Sequence, residues 1–62
     1  MAAHLSYDDA NTWLKQRGGR FHADRGVPSV SADGYTVRFS LTLTHEAAVV
    51  AAVRELISLS GR

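Results

Sequence analysis

The 62-residue chain has no cysteine, a single proline and five aromatic residues, made up of one Trp, two Tyr and two Phe. Without cysteine there is neither a disulfide framework nor a thiolate metal site, the staples on which domains this short often depend. Stability must therefore come from packing or from association with another chain. The lack of cysteine suits a reducing compartment. No stretch approaches the ~18 consecutive apolar residues of a membrane span, and the N-terminus shows neither a basic n-region nor an apolar h-region. A cytoplasmic protein with no membrane partner is expected. Charge of one sign is also missing: seven Lys and Arg against six Asp and Glu give a net charge of +1, too mild to declare a nucleic-acid or acidic-surface partner. Length sets the last bound. A domain of this size buries roughly 60% of the surface its unfolded chain exposes, which leaves no room for two lobes around a deep cleft. Residues 1–62 are read as one small domain, and an enzyme is not expected.

What is present organises itself into helix, strands and helix. Ser6 before Tyr7-Asp8-Asp9 is a capping hydroxyl followed by carboxylates that suit the positive end of a helix dipole. Leu5 and Ala10 form a small hydrophobic staple around that cap, and Gly18-Gly19 supplies the stop, so a helix is expected over 7–17. Its apolar face holds Tyr7, Ala10, Trp13 and Leu14, with Arg17 on the same third of the cylinder. Asp33-Gly34, flanked by alternating residues from Val27 to Thr44, is the signature of a two-residue β-hairpin turn. The implied register sets Ser31 opposite Thr36, Val30 opposite Val37, Ser29 opposite Arg38 and Pro28 opposite Phe39. Tyr35, Val37, Phe39, Leu41 and Leu43 then share the core face, and Thr36, Arg38, Ser40, Thr42 and Thr44 the opposite one. Pro28 lacks an N–H, so its strand lies at an edge or regular pairing ends there. Residues 20–24 are long enough for a further strand, with Phe21 and Ala23 inward, joined to the hairpin by a tight Arg25-Gly26 turn. Thr44 caps the last helix, which runs through Leu59 without Gly or Pro, and Ser60-Gly61-Arg62 is expected to fray.

The expected fold is thus an α+β two-layer sandwich, helix, antiparallel meander of two or three strands, helix, with both helices on the single apolar sheet face and a bare Ser/Thr-rich face opposite. This order is similar to that of the double-stranded-RNA-binding fold, and the outline resembles the small messenger-RNA-cleaving toxins built on it. That family carries a catalytic His after Gly-Ser early in its second strand, where this chain has Gly26, Val27 and Pro28. Asp33-Gly34, Val37, Phe39 and Thr42 also resemble the hairpin of the lambda-type phage head-tail joining proteins. Leu43-Thr44-His45-Glu46 is similar to the last strand of pterin dehydratases, without their His-His-Pro motif.

Candidate chemistry is sparse. His4, His22 and His45 are too widely spaced for a compact metal site, so neither metal nor cofactor is expected. His22 and Asp24 share a strand face and are the one acid-base pair on offer, with no pocket implied around them. Asp8, Asp9 and Glu46 have a sufficient role at helix starts.

Two surfaces remain. From 15 to 38 the chain holds Lys15, Arg17, Arg20, Arg25 and Arg38 against Asp24 and Asp33, a local excess of +3. Arg17, Arg20, Arg25 and Arg38 are the residues that would hold phosphates if the protein bound nucleic acid, the alternative reading. The first reading is a non-enzymatic protein–protein interaction module, a homodimer or an accessory subunit. The apolar residues of the last helix span half its circumference, more than one sheet face covers. Val50, Ile57 and Leu59 are accordingly the expected contacts, together with an edge strand and the Thr36, Ser40, Thr42 row.

Overall fold

The computed structural model describes residues 5–61. Tyr7–Gln16 forms α1, Arg20–Asp24 β1, Val27–Ala32 β2, Tyr35–Arg38 β3 and His45–Leu59 α2. The strands make one antiparallel sheet in the order β1-β2-β3, so the fold is the α-β-β-β-α order of an α+β domain.

Local chemistry accounts for each boundary. The Ser6 hydroxyl accepts a 3.1 Å hydrogen bond from the Asp9 N–H and caps α1. At the other end the helix stops at Gln16, one residue before the expected last helical position, and Arg17 is the cap. The Gly19 N–H reaches back to the Leu14 carbonyl at 2.7 Å and the Gly18 N–H to the Lys15 carbonyl at 3.4 Å, a Schellman closure. Both hairpins turn on two residues with positive φ, Arg25 (54°) with Gly26 (82°) and Asp33 (55°) with Gly34 (83°), the geometry that matches the twist of the flanking strands. The registers set Ser29 opposite both His22 and Arg38, and Val30 opposite both Phe21 and Val37.

The Thr44 hydroxyl accepts the Ala47 N–H at 3.2 Å and starts α2. Thr44→Ala is expected to cost about 1 kcal/mol, read as a lower urea midpoint at unchanged slope. Ser60 caps the far end of α2, and its hydroxyl donates to the Ile57 carbonyl at 3.1 Å, so the chain is held beyond the point expected to fray. Arg62, like His4, lies outside the described residues.

The core contains Ala10 and Leu14 of α1, Val30 and Ala32 of β2, Val37 and Phe39, and Ala48, Val49, Ala52, Val53 and Leu56 of α2. Leu5 packs against this cluster ahead of the Ser6 cap. α2 lies mainly over β3 and less over β2, while α1 packs chiefly on α2. Residues of both helices thus share one core cluster with the apolar face of the sheet, as expected of the two-layer fold, with α2 the closer of the two to the strands. Part of the wide apolar arc of α2 is taken up by α1.

The expected hairpin to Thr44 also shortens, because β3 ends at Arg38. The Phe39 N–H donates to the Pro28 carbonyl at 2.8 Å, but Pro28 has no N–H to return, so the ladder stops at this pair. β2 is the central strand, and of the two expectations for Pro28 it is the end of pairing that the fold adopts.

Candidate docking surface

The helix placement and the early end of β3 create the same feature from two sides. β1 has its principal contact with β2, and no helix is packed squarely over it. Phe21 therefore sits on the core-side face of the sheet yet remains 52% exposed. Beyond Phe39 the chain turns rather than continuing as a strand, leaving Leu41 74% and Leu43 44% exposed where both were expected inside. Between them lies a groove of about 320 Å³, walled by Phe21, Pro28, Phe39, Leu41, Leu43 and Ala48, with His22, Ser29, Ser40 and His45 at its margins.

The groove floor is held by an edge-to-face chain of rings. Phe21 meets Phe39 at 6.1 Å between centroids, Phe39 meets His45 at 6.2 Å, and His45 meets Tyr7 at 6.1 Å. Such pairs contribute roughly 0.5–1.5 kcal/mol beyond area burial when well ordered. His45, expected to be simply a first-turn residue, thus links the start of α1 to the end of the sheet.

The expected contact residues are distributed differently. Val50 and Ile57 are half-buried against the core, since α1 occupies that side of α2. Val50 also lines a shallow groove of about 510 Å³ bounded by Leu5, Tyr7, Glu46 and Arg54. Leu59 is 45% exposed at the last turn of α2. Thr36 is exposed on β3, but Ser40 and Thr42 belong to the loop after it and Thr44 is the cap of α2, so these residues form no continuous strand row. Ser40 and Thr42 instead bond each other, hydroxyl to hydroxyl at 2.9 Å, and the Thr42 N–H reaches the Ser40 hydroxyl at 3.4 Å.

The four arginines do not converge on one patch. Arg17 lies 3.5 Å from the Asp33 carboxylate and stacks its guanidinium 4.4 Å from the Trp13 ring centroid, tying the end of α1 to the β2–β3 turn. Arg25 is in the β1–β2 turn at the opposite end of the sheet. Arg20 and Arg38 share the helix-free face with His22 and flank the serines of β2. On that face Ser29 is fully buried, its hydroxyl donating to the His22 carbonyl at 3.2 Å and lying 3.4 Å from His22 Nδ1. A hydroxyl so enclosed and committed to a backbone acceptor is not placed as a nucleophile. Among the described residues no three His, Asp or Glu side chains gather as metal ligands, and no helix is long and apolar enough to cross a membrane.

Leu41 and Leu43 are the functional candidates that strand alternation misassigned. Pro28 opposite Phe39 was the signal that the alternation could not continue. No protein-family model matches the chain, and neither a curated protein nor a solved structure matches it significantly. The architectural resemblances therefore transfer no site residue to it.

Proposed function

We propose that the chain is a non-enzymatic docking module that holds another polypeptide on the groove of Phe21, Pro28, Phe39, Leu41 and Leu43. The observation that carries this reading is the coincidence of three exposed large apolar side chains with an uncovered edge strand. In so small a domain, leaving Phe21, Leu41 and Leu43 in water forgoes burial that contributes roughly 1.5–3 kcal/mol per fully buried side chain. A partner recovers that term, and contiguous exposed apolar surface marks association sites. The nucleic-acid alternative has weaker support, since Arg17 is engaged by Asp33 and Trp13 and Arg25 lies at the far end of the sheet.

A photo-crosslinking residue at Leu41, introduced in the cells that make the protein, is expected to yield discrete polypeptide adducts. One at Thr36, on the helix-free face, is expected to yield none. Adducts to nucleic acid at Thr36 with none to protein at Leu41 would transfer the function to the arginine-bearing face.

A further inference from the structure

The geometry points to a second copy of this chain as the occupant of the β1 edge, paired antiparallel through Arg20–Asp24 about a twofold axis at His22. This rests on the docking reading and names its partner. The phase of the existing ladder comes first. A two-residue turn at Arg25-Gly26 closes on the hydrogen-bonded pair Asp24–Val27, and alternation then directs the backbone groups of His22 and Arg20 toward β2 as well. The hydrogen bond from the Ser29 hydroxyl to the His22 carbonyl agrees with that direction. Phe21 and Ala23 consequently turn their N–H and C=O groups outward, along an edge that no other strand among the described residues occupies.

Outward groups must meet outward groups, so β1 can pair with itself only about Phe21, His22 or Ala23. Centring on Phe21 sets Arg20 opposite His22 of the copy, and centring on Ala23 sets Phe21 opposite Arg25. Centring on His22 pairs all five residues: Phe21 with Ala23, large beside small on the core-side face, and Arg20 with Asp24 at both ends. Those end pairs are non-hydrogen-bonded positions, where side chains approach most closely and opposite charges stabilise. In the register of β1 with β2, position 20 stands opposite Ser31 and position 24 opposite Val27, whereas the charge pattern of Arg-Phe-His-Ala-Asp is answered by the same segment read in reverse. β3 offers no such match, since Arg38 is its one charged residue. The product is an isologous interface that turns two three-stranded sheets into one of six strands and removes the β1 edges from solvent.

The pairing is tested with charge reversals read by sedimentation at low salt. Arg20→Asp alone and Asp24→Arg alone each create two like-charge pairs and are expected to weaken the dimer about tenfold. Mixing the two variants restores opposite charges at both ends and is expected to yield a heterodimer of wild-type affinity. Independently, His22→Cys places the chain's sole thiols at the axis, where a non-hydrogen-bonded pair has Cα atoms about 4.5 Å apart, within disulfide reach. Oxidation is expected to give a covalent dimer, with circular dichroism confirming that each variant folds. A wild-type monomer that stays monomeric at millimolar concentration and gives no His22→Cys dimer overturns the pairing, as does a dimer indifferent to both reversals. In either case polypeptide adducts at Leu41 would leave the docking reading standing with a different partner, and their absence would remove both.

Discussion

Replacing Leu56 with alanine is expected to remove about half of the stability of the domain. Leu56 is fully buried, the largest such side chain among the described residues, in the core cluster that joins α2 to the sheet and α1. Removing its isopropyl end costs about 2–5 kcal/mol, the transfer term plus that of a cavity which the surroundings only partly fill. A chain of this length has a total stability of roughly 3–9 kcal/mol at 0.05–0.15 kcal/mol per residue. A urea midpoint lowered by about half, at unchanged slope, is the expected result. A melt within a few degrees of the wild type would mean that α2 is not the keystone of the core. If association supplies part of the stability, the variant should also regain stability as its concentration is raised.

The second large effect separates two adjacent glycines that look equivalent in the sequence. Gly19 is surrounded: a Cβ there would lie 2.7 Å from Leu14 Cδ2, 3.0 Å from Leu14 Cβ and 3.2 Å from the Leu14 carbonyl oxygen. Leu14 is itself in the core, and its Cβ and carbonyl move only with the helix. Gly19→Asn is therefore expected to cost about 1–3 kcal/mol through overpacking at the point where α1 turns into β1. Gly18 is in open space with φ of 64°, the left-handed conformation that asparagine tolerates best among the other residues. Gly18→Asn is expected to change stability by less than about 1 kcal/mol. Urea unfolding of the two variants side by side checks the contrast. Equal effects would mean that helix closure, rather than close approach to Leu14, decides the junction.

The groove itself was only half legible. Alternation alone puts Phe21 on the inward face, and the Val30 register agrees. What alternation does not report is how far a helix reaches. Whether an inward-facing residue is covered depends on the lateral position of α2, set by packing between helices and sheet. Leu41 and Leu43 are a different failure. Their spacing continues the strand period, but the missing donor of Pro28 ends the ladder at Phe39, and the leucines pass to a loop. The half-cylinder of apolar residues on α2 was visible, and its use was not: α1 packs on α2, and Val50 and Ile57 are drawn partly into the core.

The sequence by itself determined the helix, hairpin, helix order, both N-caps, the Asp33-Gly34 turn and the β2–β3 register, because each depends on residues only a few positions apart. A Ser or Thr three residues before a free N–H, or a Gly where φ must be positive, acts the same in almost any surroundings. Tertiary structure alone decided which apolar faces are satisfied. The lateral position of α2, over β3 more than over β2, leaves β1 with Phe21 as the uncovered part of the core face. That remainder, an open edge beside an uncovered ring, exists only once the pieces are assembled, since it is set by contacts that no local pattern encodes.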